Sequence, residues 1–193
     1  MIHLRKGDCL QHERNFLCPH VCNNIGAFGA GFVAALNKVS DSPRKQYMKW
    51  HRDGVTKRAS GLEVPFRLGE VQYVSLFDGQ IEKIICNMIG QDGIGPGSTG
   101  NYQIKDRPPV RYWAIRKALL KVREQYDVGR SSKLLDQHDI VSPLFGAGLA
   151  GGYTDEIYAI IHDLFSNPMY PYYLYAFSDQ DYENLQEVAK NFS

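Results

Sequence analysis

A three-layer α/β/α fold with a mixed central β-sheet is the class this sequence predicts, and three observations predict it. Strand-like and helix-like segments alternate along the chain, one tight hairpin interrupts the alternation, and glycine clusters follow strands. Strands alternating with helices call for parallel neighbours joined by crossovers, and a hairpin adds an antiparallel pair. The sheet is therefore expected to be mixed and covered on both faces. With 193 residues, 44% hydrophobic and 12% aromatic, the chain is long enough for one such domain, taken as residues 1–193, with a sizeable core.

The elements follow in order. Ile2 to Arg5 reads as the first strand and Pro19 to Asn23 as the second, with Pro19 at its first position because proline donates no ladder hydrogen bond. Ala30 to Val39 and part of Pro43 to His51 read as helices, and the rest of 40–70 is expected to be irregular. Val71 to Phe77 and Lys83 to Ile89 flank Asp78-Gly79, a pair suited to the positive φ values of a type I′ turn. Between Pro109 and Tyr126 the residues Tyr112, Ile115, Leu119, Val122 and Tyr126 recur at helical spacing, with Pro109 suited to the first turn. Segment 127–138 is expected to be irregular. Asp139 to Leu144 is a strand, and Thr154 to Phe165 is a helix with Thr154 as N-cap and Ile157, Ile160, Ile161 and Leu164 as its buried stripe. Tyr172 to Phe177 is the last strand and Asp179 to Asn191 the last helix, with Ser178 and Asp181 at its start.

Charge excludes several function classes. With 22 basic and 21 acidic residues the formal net charge is +1, so no global field selects for nucleic acid or an anionic membrane. Arg111, Arg116, Lys117, Lys121 and Arg123, with Arg44, Lys45, Lys49 and Arg52, read as solvated helix faces rather than a nucleic-acid surface. No stretch approaches the roughly 18 apolar residues of a membrane span, and the N-terminus lacks a signal peptide's apolar core, so a cytoplasmic protein is expected. Cys9, Cys18, Cys22 and Cys86 are read as reduced. Cys18, His20 and Cys22, even with Cys9 or His12, lack paired metal-ligand spacing and fit alternate strand positions, so no metal is expected.

Clustering of glycine is the informative feature. Residues 23–31, 90–100 and 146–152 hold 12 of the 18 glycines. Each cluster follows a strand, and the first and third lead into a helix, which places them at the carboxyl ends of strands where open α/β sheets bind ligands. Glycine lets backbone N–H groups approach an anion, and a helix N-terminus adds positive potential, so the implied ligand carries phosphate. None of the three clusters contains Lys or Arg, against a Walker-type loop. Gly146-Ala147-Gly148-Leu149-Ala150-Gly151 matches G-x-G-x-x-G, but it comes too late in the chain for a dinucleotide-binding half to follow.

Four motifs in series carry a family resemblance: Gly7-Asp8-Cys9-Leu10; Cys22-Asn23-Asn24-Ile25-Gly26-Ala27-Phe28-Gly29-Ala30-Gly31; Asn87-Met88-Ile89-Gly90-Gln91-Asp92; and Ser142-Pro143-Leu144-Phe145-Gly146-Ala147-Gly148-Leu149. Together they resemble the macro domain family, the ADP-ribose-binding module. The likeness spans nearly the whole chain, with 40–70 and 98–110 as additions. His20-Val21-Cys22-Asn23, followed by the aromatic Phe28 between glycines, is most similar to the branch containing yeast-type and phage-type ADP-ribose-1″-phosphate phosphatases.

The resemblance implies roles. Asp8, with Cys9 beside it, would read the adenine amino group or else cap a turn, and Phe177 would either stack on adenine or stand as a core aromatic. Gly146, Ala147, Gly148, Leu149 and Ala150 would wrap the diphosphate, preceded by Ser142, Leu144 and Phe145. Gly26, Ala27, Phe28, Gly29, Ala30 and Gly31 would face it, and Asn23 would hold the distal ribose. His20, Asn23, Gln91 and Asp92 are the candidates for hydrolysis at that ribose, Asp92 as the base, although His20, on a strand beside Cys18 and Cys22, reads first as a hydrogen-bonded core histidine. Residues 88–100 contain no Lys and Ala150 stands where an acid would, which argues against lysine-dependent glycohydrolase chemistry. A binding module without turnover is the alternative. No cofactor is implied; the expected partners are ADP-ribose or a derivative and an ADP-ribosylated macromolecule.

Overall fold

The computed structural model describes residues 2–94, 108–148 and 150–192. Its main sheet is built from β1 (Ile2–Lys6), β2 (Phe16–Asn23), β5 (Val71–Asp78), β6 (Ile81–Gln91), β7 (Asp139–Pro143) and β8 (Tyr172–Ala176), while β3 (Val55–Lys57) and β4 (Glu63–Pro65) form a separate two-stranded ribbon. The strand order is β1-β8-β7-β2-β6-β5. Only the β5–β6 pair is antiparallel in this sheet, so it is mixed, as the alternating pattern with one hairpin predicts.

Helices cover both faces. On one lie α1 (Phe32–Val39) and α2 (Ser42–Asp53); on the other lie α3 (Tyr112–Ser131), α4 (Thr154–Phe165) and α5 (Asp179–Lys190). The apolar stripes decide this arrangement. Ile115, Leu119, Val122 and Tyr126 of α3 and Ile157, Ile161 and Leu164 of α4 are buried with Leu17, Cys86, Met88 and Ile140 of the sheet. Val33 and Leu36 of α1 and Tyr47 and Trp50 of α2 are buried with Phe16, Cys18, Ile85 and Ile89 on the opposite face. All four cysteines are buried and free.

The structure corrects several expectations. Segment 40–70 is more regular than expected: the helix anticipated within Pro43 to His51 spans 42–53, with Pro43 in its first turn, and β3 and β4 follow. The helix is fixed by Trp50, whose Nε1–H donates to Val64 O at 2.9 Å, and by Tyr47, whose hydroxyl donates to Asn23 O at 2.5 Å. Residues 127–131 are also helical, because α3 runs on to Ser131, and that helix begins at Tyr112, three residues after Pro109. Thr154 is the first helical residue of α4 and Tyr153 the N-cap, without a side-chain cap bond. Pro19 lies inside β2, which is tolerated because the ladder to β7 is confined to Phe16 and Leu17. In the hairpin Asp78 pairs with Ile81, so Gly79 and Gln80 make the turn. Gly79 has φ +61° and Gln80 does not have positive φ, the sign pattern of type II′ rather than I′. At α5 the expected cap is present: Ser178 Oγ accepts from Asp181 N at 3.1 Å.

Three of the basic residues at and along α3 are paired. Lys121 reaches Glu70, Arg116 meets Asp163 at 2.5 Å, and Arg111 meets Asp92 at 3.1 Å. Among the described residues, no helix is long and apolar enough to cross a membrane.

Candidate functional site

Three parallel strands end together. Lys6 of β1 lies beside Ala176 of β8, and Pro143 of β7 beside Tyr175, with the chain held past these ends by Gly7 N donating to Ala176 O at 3.0 Å and Leu144 N to Tyr175 O at 2.7 Å. Beyond the ends opens a cavity of about 380 Å³. Gly7, Asp8 and Cys9 line it from the segment after β1, Gly31, Phe32 and Ala35 from the start of α1, Pro143 and Leu144 from the end of β7, and Tyr175, Phe177 and Asp181 from β8 and α5. Residues far apart in sequence meet here because parallel crossovers return each strand in the same direction, so loops of one polarity share one edge.

Each wall has a distinct chemistry. Asp8 Oδ1 accepts from Leu10 N at 2.9 Å, which fixes the carboxylate at the cavity rim and makes the residue a turn cap and a lining group at once. Cys9 is buried, and its hydrogen bond with Cys18 together with desolvation pushes its thiol well up, which keeps it neutral. Phe177 is 80% exposed, so it is a wall of the cavity rather than a core aromatic. Tyr175 is steadied from behind: its hydroxyl lies 3.1 Å from His12 Nδ1, and His12 Nε2 lies 2.8 Å from the buried Asp139.

The loop after β2 is organised by Asn23. Its Oδ1 accepts from Ile25 N and Ala27 N, its Nδ2 donates to Ala27 O at 2.7 Å, and Tyr47 also donates to Oδ1. A side chain so engaged shapes the loop, and its bonds run to the loop rather than outward. Gly26 in the same loop has φ +76°, and a Cβ there would lie 2.4 Å from the His51 ring. Ala27, Gly29, Ala30 and Gly31 are exposed, whereas Phe28 turns inward, packed against His20 and Tyr47.

The loop after β6 meets the start of α3. Gln91 ends β6, its carbonyl accepting from Asn24 N at 2.9 Å, and it bridges to Val110. Asp92 Oδ1 accepts from Asn24 Nδ2 at 3.0 Å and Oδ2 from Arg111 at 3.1 Å, while its N–H donates to Pro109 O. The pair is half-sheltered, with side-chain exposures of 13% for Arg111 and 34% for Asp92.

The segment after β7 folds as a tight loop. Gly152 N donates to Gly146 O at 2.8 Å, Gly151 N to Gly148 O at 2.9 Å, and Val110 N to Ala150 O at 3.2 Å. Ala147 is half-buried and Gly148 is exposed at the crest, Ala150 is buried, and Leu149 lies outside the described residues.

Several residues assigned to the site by likeness stand in the core instead, Phe28 and Ala150 among them. His20 is 1% exposed, its Nε2 2.7 Å from Asn87 Oδ1. An amide oxygen only accepts, so Nε2 carries the proton, and burial pushes the pKa down to about 4, leaving the ring neutral. This is a satisfied core histidine. Ser142 is fully buried with Oγ 2.9 Å from the Tyr172 hydroxyl, and Phe145 is buried in the α3–α4 core. The sequence reading missed Phe32, Ala35, Tyr175, Arg111 and the lining role of Asp181. Period-two alternation places Tyr175 on the same strand face as Phe177, a signal that was available; Arg111 needed the fold.

Against known proteins, no family model matches the chain and no curated protein does. Solved structures do. A macrodomain protein from Streptomyces coelicolor is 30% identical with a TM-score of 0.65, the alignment covering 92% of this chain and 100% of that one. A protein of unknown function from Bacteroides thetaiotaomicron is 30% identical, with a TM-score of 0.69 and coverage of 92% and 98%. A mutant macrodomain from Oceanobacillus iheyensis with ADPR is 19% identical, with a TM-score of 0.65 and coverage of 98% and 91%.

Proposed function

The chain belongs to the macrodomain family, and from that premise we propose that it binds ADP-ribose or a derivative in the loops at the carboxyl ends of its parallel strands. One observation carries the reading most strongly. The cavity beyond β1, β7 and β8 gathers Asp8, Gly31, Leu144 and Phe177, residues drawn from three of the sequence motifs and the last strand. An anionic acceptor beside an exposed aromatic wall suits an amino-bearing aromatic ring. The exposed backbone of 29–31 and of Gly148 suits an adjoining diphosphate, because N–H groups at a helix N-terminus complement anionic oxygens without needing a Lys. ADPR in the Oceanobacillus macrodomain supports the same ligand class.

Hydrolysis of a group on the distal ribose, of the ADP-ribose-1″-phosphate or ADP-ribosyl ester kind, is the further part of the proposal. Asp92 is its base, held by Asn24 and Arg111 with an exposed portion from which to orient a water. Asn23 and Gln91 contribute by shaping the loops on either side. A macromolecule bearing ADP-ribose is a substrate of the same class.

A second reading, binding without turnover, is favoured by the ion pair that occupies Asp92 and by the burial of His20. Phosphate release from ADP-ribose-1″-phosphate separates the two. Asp92→Ala is expected to leave ADP-ribose binding within about threefold and to remove turnover, a loss of the order of 10²-fold or more if Asp92 is the general base. Wild-type protein that binds and releases no phosphate would leave the binding module standing and end the hydrolytic proposal for this substrate.

A further inference from the structure

A second and larger cavity, of about 770 Å³, lies away from the strand ends. It opens beside β5, the outer strand of the sheet, between the β3–β4 ribbon and the end of α3. Its size falls in the range of about 300–1,000 Å³ typical of small-molecule sites, and its floor is apolar, from Val71, Ile84 and Leu135.

One cation stands out in its lining. The Arg58 guanidinium lies over the Tyr73 ring, 5.4 Å from its centroid, a cation–π contact with a rigid surface. Among the described residues Arg58 makes no ion pair and no side-chain hydrogen bond, and its Nε is buried without a partner. The other charged residues of the lining are accounted for: Lys57 faces Glu63 at 3.5 Å and Glu82 faces His138 at 3.1 Å. A planar five-donor group left unmatched in a cavity that also offers the apolar side chains of Val71, Ile84 and Leu135 is complementary to a carboxylate, sulfonate or phosphate carried on an apolar body.

We propose that this cavity is a second binding site, for a small organic anion whose apolar part rests on Val71, Ile84 and Leu135 and whose charged head meets Arg58. The site rests on no part of the ADP-ribose reading, since none of its lining residues belongs to the strand-end cavity.

The test uses the full chain and 8-anilinonaphthalene-1-sulfonate, an anionic head on an aromatic body, followed by fluorescence. Saturable binding at one site is expected, undisturbed by excess ADP-ribose. Arg58→Gln should weaken it at least tenfold while leaving the melting temperature and ADP-ribose titration unchanged. Ser75→Trp, at an exposed position in the lining, should block it by filling the space. Unaltered affinity in folded Arg58→Gln, displacement by ADP-ribose, or no saturable binding to wild type would each overturn the proposal.

Discussion

Gly26 shows how much of the site depends on a single backbone position. Its φ of +76° lies in the left-handed region, and a Cβ would press into the His51 ring of α2, the nearest atom being 2.4 Å away. Gly26→Ala should therefore destabilise the fold by about 2 kcal/mol, from the left-handed penalty plus the clash, read as a lower urea midpoint. Combining it with His51→Ala should recover part of that loss, because the clash disappears while the backbone penalty remains. His20 gives a pH test. Its native pKa near 4 lies below the unfolded value of 6.5, so between these pH values the unfolded chain binds the extra proton. Stability should be full above about pH 6.5 and fall as pH drops toward 4, by up to about 3 kcal/mol from this residue alone. Urea titrations of wild type and His20→Gln across that window check it, and the variant should lack this part of the slope. The lining residues legible in sequence sit at strand or helix ends, Asp8, Gly31 and Leu144 in recognisable motifs and Phe177 just past the last strand. His20 and Ser142 share the motifs, but strand alternation turned them inward, which the motif does not encode.

At the scale of elements, α2 is the informative case. Its buried Tyr47 and Trp50 sit among Arg44, Lys45, Gln46, Lys49 and Arg52, so the segment reads as helical only in part, yet both rings are almost fully buried. Tyr47 bonds Asn23, so the helix supports the loop that Asn23 shapes. Trp50→Ala should cost about 3–5 kcal/mol by leaving a large cavity, measured by denaturant unfolding, and should loosen the 24–27 loop with it. By contrast the extent and buried face of α4 were legible, though not its N-cap, since Ile157, Ile160, Ile161 and Leu164 fall on one helical face with polar residues opposite. Boundaries that depend on partners were not legible. Arg111 reads as one more charge on a basic helix, and only the return of β6 beside the start of α3 brings it to Asp92.

For the whole molecule, topology explains the site. Five parallel strands, β1, β8, β7, β2 and β6, end on one edge, and the loops that follow four of them carry the glycine-rich or acidic motifs while Phe177 follows β8. Alternation in the sequence predicts that arrangement; the strand order and the second cavity behind β5 do not follow from it, because both arise from packing between distant segments. Gly148 separates fold from ligand: it is exposed, a Cβ there meets nothing within 4 Å, and its φ is not in the left-handed region. Gly148→Glu should thus leave the melting temperature unchanged and abolish ADP-ribose binding by placing a carboxylate against the diphosphate. The central claim is tested most directly by calorimetric titration of the wild-type chain with ADP-ribose at two salt concentrations, with NAD and AMP as comparators. Micromolar binding that favours ADP-ribose over both is the expected result. No heat of binding from folded protein, or equal affinity for all three, would contradict the account.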